Sequence, residues 1–234
     1  MSMRTTGRAV ALTATLMFHS FYLLYYHLSG RGIDPLDWFG YPLLLALGYW
    51  GGLQYDRANF YAHKDPLTLL YNRRYAASRI PAMIRTARRR SRKLYLLLID
   101  CDDFKQINDT LSHAAGDRLL TAVGRILLRA PKRELAARWG GDEFLICGYC
   151  DDIRDMEQRI EELRSAASAL SASTGMPVSI SVGSALFPDD RQDQLEQLLQ
   201  LADRRMYAQK NGEEAASPPG KVSDKVSGSV RRSG

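Results

Sequence analysis

Residues 138–144 read Arg-Trp-Gly-Gly-Asp-Glu-Phe, and this stretch decides how the rest of the chain is interpreted. Apolar residues flank it, Leu-Ala-Ala at 135–137 and Phe-Leu-Ile-Cys at 144–147. Two such segments joined through a glycine pair predict a β-hairpin. Neighbouring side chains of an extended chain point to opposite faces, so either Asp142 or Glu143 can face a ligand. An ordinary solvated turn would contain the same residues, so the hairpin alone leaves its function open.

A second stretch, residues 93–99, is apolar almost throughout and reads Lys-Leu-Tyr-Leu-Leu-Leu-Ile. Such a run predicts a strand that is buried on both faces. It ends in Asp100, Cys101, Asp102 and Asp103. Mg²⁺ prefers oxygen ligands and often takes only one or two carboxylates from the protein, with phosphates supplying more. Carboxylates at the end of a central strand and at a hairpin tip are therefore suited to a divalent cation.

Further motifs extend these two stretches: Asp-Pro-Leu-Thr at 65–68, Tyr-Asn-Arg-Arg at 71–74 and Ile-Asp-Cys-Asp-Asp-Phe-Lys-Gln-Ile-Asn-Asp at 99–109. In this order they resemble the GGDEF family of diguanylate cyclases, over about residues 65–210. The resemblance implies an α/β (α+β) fold, a ferredoxin-like βαββαβ sandwich of the nucleotide-cyclase type. It also implies an enzyme that condenses two GTP molecules to cyclic di-GMP and releases two pyrophosphates.

The resemblance assigns the acidic residues to metal binding and proton transfer. Asp100, Asp142 and the backbone carbonyl of Cys101 correspond to ligands of Mg²⁺ or Mn²⁺. Asp142 is also the candidate proton acceptor, and Glu143 is a second acidic residue beside the metal. The side chain of Cys101 is expected to serve only in packing.

The resemblance assigns the remaining site residues to the substrate. Lys105 corresponds to a lysine that stabilises the transition state. Asn108 and Asp117 correspond to a pair that recognises guanine, and an amide with a carboxylate can match O6 and the N–H groups of that base. His113 matches a substrate-contacting position, although a surface histidine would explain it equally well. Lys210 matches a phosphate-binding lysine, and the backbone near Phe104 offers N–H groups to phosphate.

The sequence departs from the family pattern at four places. Leu69 and Ser112 stand where glycine is usual, and residues 131–134 (Pro-Lys-Arg-Glu) replace the regulatory Arg-x-x-Asp. Near the C-terminal end Glu213 and Glu214 replace an arginine. One lost charged hydrogen bond costs about 1.5–3 kcal/mol, which weakens binding without abolishing it. The sequence therefore favours an active cyclase without the usual product-inhibition site. The alternative is a catalytically silent module that binds GTP or a protein. A weaker alternative is a membrane sensor whose soluble domain only transmits a signal.

The N-terminal quarter predicts a membrane anchor over residues 1–56. Residues 9–30 and 38–55 contain no charged side chain and are long enough to span a bilayer, which predicts two transmembrane helices. Basic residues flank the pair, and this places both ends and the catalytic domain in the cytoplasm, at a multi-pass inner membrane location. Buried helices of a soluble protein or a signal peptide are the alternatives. The predicted catalytic domain covers 57–212, and a disordered tail covers 213–234. Expected partners are GTP, the lipid bilayer and a second copy in a homodimer.

The formal net charge of the 234 residues is +6, and a run of basic residues lies at 85–93. The run is explained either by a solvated helix end or by attraction to anionic lipid. No nucleic-acid-binding motif accompanies it. Three cysteines, two of them in a C-x-x-C at 147–150, argue against a disulfide framework. The C-x-x-C ends a strand, whereas a redox motif of this kind begins a helix, so a redox site is not favoured. A zinc site would need a second pair of ligands, and the sequence shows none.

Overall fold

The computed structural model of the chain describes residues 5–32, 34–129, 134–190, 192 and 194–211. The chain divides into two compact units, Met1–Pro66 and Leu67–Gly234. The boundary predicted after residue 56 falls inside a helix that continues to His63. The predicted tail at 213–234 lies outside the described residues.

The first unit is a helical hairpin. It comprises α1 (Thr6–Leu28), the short α2 (Pro35–Trp38) and α3 (Gly40–His63). Glycines allow α1 and α3 to pack closely: a Cβ on Gly52 would lie 2.5 Å from the Cα of Arg8, and one on Gly48 would lie 2.5 Å from the Thr15 hydroxyl. Small residues permit such close approach of helices, including helices in membranes.

The start of α1 is held by Asp56 of α3. The Asp56 carboxylate accepts hydrogen bonds from the backbone N–H groups of Gly7 and Arg8, at 2.7 and 3.2 Å, and from the Arg8 guanidinium at 3.1 Å. The first N–H groups of a helix have no partner within the helix. Asp56 therefore does for α1 what a capping residue does, from a different helix.

Among the described residues, α1 alone is long and apolar enough to cross a membrane. The predicted second span at 38–55 is not supported as a separate crossing. It falls partly in α2 and partly in α3, and α3 contains many glycines together with the polar residues Gln54, Asp56, Arg57 and Asn59. These residues lower the hydropathy of α3 as a whole, although its first half is uncharged.

The second unit is built on a five-stranded sheet with the order β1-β3-β4-β2-β5. All neighbours are antiparallel except β1 and β3. Helices and strands succeed each other as predicted, with a βαββαβ core from β2 to β5. In chain order the elements are β1 (Tyr71–Asn72), α4 (Arg73–Arg89), β2 (Lys93–Cys101), α5 (Phe104–Thr110), α6 (His113–Leu128), β3 (Glu134–Arg138), β4 (Glu143–Cys150), α7 (Ile153–Thr174), β5 (Ile180–Phe187) and α8 (Leu195–Lys210).

The central strand β2 is buried on both faces, as its continuous apolar run predicted. Leu94, Leu96 and Leu98 belong to the core that α4 and α8 cover. Leu97 and Ile99 belong to the opposite core, which α6 and α7 cover. The sheet therefore lies between two helical layers. The C-terminal end of β2 and the N-terminal end of β4 lie side by side at one end of the sheet.

Two helices show local features that depend on backbone geometry. Pro81 lies inside α4 and does not end it, since the helix continues to Arg89. Asp152 caps α7: its carboxylate accepts the N–H groups of Arg154 and Asp155. Adjacent aspartates are both acceptable caps, and only the backbone geometry at the start of the helix selects one of them.

Candidate active site

The acidic hairpin forms as predicted between β3 and β4. The N–H groups of Trp139 and Gly140 both donate to the carbonyl of Glu143, at 2.8 and 3.2 Å. The Arg138 guanidinium donates to the carbonyl of Gly141, at 2.7 Å through Nη2. These bonds fix the tip of the hairpin and, with it, the direction in which Asp142 and Glu143 leave the tip.

The sheet register brings the two acidic stretches together. Glu143 is the cross-strand partner of Asp100. The N–H of Cys101 donates to the backbone carbonyl of Asp142 at 3.2 Å. Side chains of cross-strand partners lie on the same face, at about 4.5–5.5 Å between Cβ atoms. The structure therefore places Asp100, Cys101, Asp142 and Glu143 beside one another at the end of β2.

Lys210, the last residue of α8, reaches the same place. Its ammonium donates to the Asp100 carboxylate at 2.6 Å. Burial raises the pKa of Asp100, and the Lys210 ammonium opposes that shift. A single positive charge from a residue 110 positions away in sequence thus compensates the carboxylate at the end of the central strand.

The acidic residues also act on one another. Burial raises the pKa of the half-buried Glu143, and the neighbouring Asp100 and Asp142 raise it further. Several carboxylates in one partly desolvated region repel each other unless a cation lies between them. The arrangement therefore has the electrostatic character of a cation site.

The donor set fits a hard divalent cation that shares its ligands with a substrate. Among the described residues, no cluster of three or more His, Cys, Asp or Glu side chains could hold a metal by itself. Two carboxylates and a carbonyl form a smaller set, which is what Mg²⁺ bound to a phosphorylated substrate requires. Burial raises the pKa of Cys101 to about 12, and its thiol lies in the core. The thiol of Cys101 therefore packs in the core, whereas the role of its backbone carbonyl as a metal ligand stays a prediction.

The proposed substrate residues lie on α5 and α6, which follow β2. Lys105 is exposed on α5, and Phe104 packs against the core and anchors that helix. The side-chain oxygen of Asn108 is buried and has no hydrogen-bond partner in the described part of the chain. His113 and Asp117 are both exposed, one turn apart on the same side of α6. The structure thus groups Asn108 with α6, while within the described part of the chain no hydrogen bond or ion pair joins His113 to the acidic residues at the end of β2.

The two positions where glycine is usual keep backbone conformations that glycine adopts easily. Leu69 has a φ of 60°, and Ser112 has a φ of 146°. The Ser112 hydroxyl also accepts the N–H of Ala115 and caps α6. For residues other than glycine such conformations cost about 1–3 kcal/mol each. Leu69, just before β1, and Ser112, at the start of α6, therefore hold strained backbone conformations.

Sequence reasoning did not single out Arg73 or the surroundings of Glu134. Arg73, the first residue of α4, stacks over Trp139 at 4.9 Å from the ring centre and partly offsets the rise in the pKa of Glu143. Its place in the Tyr-Asn-Arg-Arg motif was the available signal. Glu134 is buried and accepts hydrogen bonds from the Tyr95 hydroxyl and the Arg159 guanidinium. No sequence pattern links those three residues, because they come from three separate elements.

The mixed α/β fold of this unit matches solved structures of GGDEF domains. The model of the family "Diguanylate cyclase, GGDEF domain" matches residues 62–215. The chain therefore belongs to the GGDEF family.

Relatives and solved structures agree with this assignment. The diguanylate cyclase TpbB of Pseudomonas aeruginosa is 37% identical over 155 residues, which are 64% of this chain and 35% of TpbB. The diguanylate cyclase DosC of Escherichia coli is 34% identical over 62% of this chain and 32% of DosC. The crystal structure of a sensory box/GGDEF family protein from Caulobacter crescentus is similar with a TM-score of 0.59 and 31% identity, over 64% of this chain and 99% of that one. The chain thus spans about a third of the length of these two cyclases.

Proposed function

We propose that this chain is a diguanylate cyclase that condenses two GTP molecules to cyclic di-GMP. The observation that carries the proposal is the meeting of Asp100, Asp142, Glu143 and Lys210 at the end of β2. The relatives named as diguanylate cyclases support it. In each half of the reaction a ribose 3′-hydroxyl attacks the α-phosphorus of the other GTP, and pyrophosphate leaves.

In this proposal the carboxylates of Asp100 and Asp142 and the carbonyl of Cys101 hold Mg²⁺ or Mn²⁺. The cation, when bound, neutralises triphosphate charge and makes the hydroxyl more acidic. Asp142 accepts the hydroxyl proton, and Glu143 is a second acidic residue beside it, whose pKa is raised by burial and by the neighbouring Asp100 and Asp142. Lys105 and Lys210, with the backbone at Phe104, bind the phosphates. Asn108 and Asp117 recognise guanine, and His113 contacts the substrate from the start of α6.

Lys210 has two roles in this scheme. It is paired with Asp100 at 2.6 Å, and it is also the proposed phosphate ligand. Its side chain is 34% exposed, so it is free to turn toward solvent. Asp100 would hold the metal and Lys210 would bind the phosphates, so each residue would exchange its present ion-pair partner for a group of the metal–triphosphate complex.

The decisive experiment is an assay of the full chain, purified in detergent, with GTP and Mg²⁺. We expect cyclic di-GMP and two equivalents of pyrophosphate, measured by mass spectrometry and a coupled phosphate assay. Binding of GTP without product would instead identify a silent GTP-binding module. If the chain neither binds GTP nor forms product, the remaining function is that of a domain that transmits a signal or binds a protein.

We also propose that α1 anchors the chain in a membrane, with α3 packed against it. Several large apolar side chains on these helices are more than half exposed, and they would otherwise contact water. On α1 and α3 these are Val10, Met17, Phe18, Phe21, Leu24, Tyr25, Leu28, Leu43, Leu47, Trp50, Tyr55 and Tyr61. Contact of Arg8 with Asp56 places the start of α1 beside the polar half of α3. That end is the cytoplasmic one by the distribution of basic residues, and the catalytic domain that follows is then cytoplasmic and able to form homodimers.

Product should inhibit this enzyme only weakly away from the active site. The Glu134 carboxylate, which stands at the aspartate position of the regulatory motif, is buried and already paired with Arg159 at 3.0 Å. Pro131, at the arginine position, provides no guanidinium and lies outside the described residues. We expect inhibition by cyclic di-GMP to be competitive with GTP in initial-rate measurements. Non-competitive inhibition that disappears in Arg159→Ala would contradict this prediction.

A further inference from the structure

Helix α5 packs closely against α6 at Gly116. A Cβ on this residue would lie 2.0 Å from the side-chain oxygen of Asn108 and 3.1 Å from Cε2 of Phe104. Contacts under 3.0 Å do not occur at real Cβ atoms, so any side chain at 116 must displace its neighbours. The Asn108 amide occupies the space that the absent side chain leaves.

The atom that lies against Gly116 is itself unusual. The Asn108 oxygen is buried and has no hydrogen-bond partner in the part of the chain that the structure describes. A buried carbonyl oxygen without a donor is unfavourable, and such groups in native proteins require an explanation. A ligand that brings an N–H group to this oxygen would provide one. The Watson–Crick edge of guanine offers N–H groups at N1 and N2, whereas adenine offers neither.

Gly116 immediately precedes Asp117 in α6, so the backbone that fixes Asp117 is also the surface on which Asn108 rests. The spacing between the amide and the carboxylate is therefore determined by how closely α5 approaches α6. Glycine is a poor helix former compared with alanine. Local helix stability alone would thus favour alanine at this position.

We propose that Gly116 is a positioning residue for nucleobase selection, which holds the Asn108 amide at the distance from Asp117 that guanine requires. The proposal rests on the proposed function, in which Asn108 and Asp117 recognise guanine. Gly116 makes no contact with the nucleotide in this scheme. It acts by leaving room for Asn108.

The test is Gly116→Ala in the full chain. Binding is measured by titration calorimetry with α,β-methylene GTP and with the matching ATP analogue, in the presence of Mg²⁺. We expect the Kd for the GTP analogue to rise at least tenfold and the Kd for the ATP analogue to change less than twofold. In turnover assays KM for GTP should rise more than kcat falls. The binding measurement does not depend on catalysis, so it separates failure of this proposal from failure of the proposed cyclase activity.

Two comparisons distinguish positioning from general packing. Gly124→Ala is the matched control, since Gly124 is a buried glycine of the same helix whose Cβ would meet Thr68 at 2.9 Å rather than a proposed site residue. It should leave the preference for GTP over ATP unchanged. In an Asn108→Ala background, Gly116→Ala should weaken GTP binding less than twofold further, because the displaced atom is already absent.

Four results would overturn the proposal. The first is wild-type affinity and nucleobase preference in Gly116→Ala. The second is an equal further loss of affinity in the Asn108→Ala background. The third applies if Gly116→Ala does not fold: the double variant Gly116→Ala/Asn108→Ala removes the conflicting oxygen and should restore folding, and a double variant that remains unfolded would refute the steric argument. A wild-type chain that binds neither analogue would refute this proposal and the guanine-binding part of the proposed function together.

Discussion

Replacing Asp142 with asparagine should reduce the rate of cyclic di-GMP formation by about 10²–10⁴-fold, the range typical for loss of a general base. The substitution removes both a carboxylate ligand and the proposed proton acceptor while keeping the size of the side chain. Asp142 lies at the hairpin tip, and its hydrogen bond to β2 uses its backbone carbonyl, which accepts the Cys101 N–H. We therefore expect the folded structure to be unchanged. The rate is measured with saturating GTP and Mg²⁺.

The matched control is Asp109→Asn, which removes an exposed carboxylate of α5 outside the proposed site. It should change the rate less than twofold. Circular dichroism and thermal unfolding should be the same for wild type and both variants. Full activity in a correctly folded Asp142→Asn protein would refute the assignment of metal binding and proton transfer to this residue.

The largest expected effect on stability comes from Gly183→Ala in β5. A Cβ at this position would lie 1.9 Å from the carbonyl oxygen of Ala202 and 2.7 Å from the backbone nitrogen of Met206, both in α8. Backbone atoms cannot turn aside as a flexible side chain can, so the whole helix must shift. Overpacking of a core costs about 1–3 kcal/mol and occasionally more. For a domain of this size we expect the midpoint of thermal unfolding to fall by about 2–4 °C per kcal/mol.

The same substitution should affect the site through α8. Ala202, Met206 and Lys210 are four residues apart and lie on one face of the helix. A shift of that face away from β5 moves Lys210 from Asp100, so KM for GTP should rise in any Gly183→Ala protein that folds. Gly141→Ala serves as the stability control, because no atom lies within 4 Å of its added Cβ. Equal unfolding midpoints for the two variants would contradict the close approach of α8 to β5.

Much of the fold could be predicted because it depends on local pattern. The apolar run at 93–99 predicted a strand buried on both faces, and the glycine pair at 140–141 predicted the hairpin. The register that sets Glu143 opposite Asp100 could not be read from either segment alone, since it depends on how the strands align in the finished sheet. The same holds for the ion pair between Lys210 and Asp100, which joins α8 to β2.

Other differences have specific physical causes. The second span was predicted at 38–55 because this stretch is uncharged. The observed α3 extends beyond it into polar residues, and it is joined to α1 by the hydrogen bonds of Asp56 and by close contacts at glycines. The role of Gly116 could not be predicted from sequence, because a helical glycine gives no sign of the atom that packs on it. The site residues assigned by resemblance remain a proposal, which the substitutions at Asp142 and Gly116 test.

The pairing of β2 with β5 has a consequence for biosynthesis. The neighbours of β2 in the sheet are β4 and β5, and β5 is the last strand to leave the ribosome. The hairpin of α1 and α3 needs only contacts between segments close in sequence, whereas closing a long loop between β2 and β5 makes folding slower. We therefore expect the N-terminal helices to form while the sheet still lacks its edge strand. The acidic cluster receives its lysine from α8 later still, so the site is completed only after the strands of its own domain have been made.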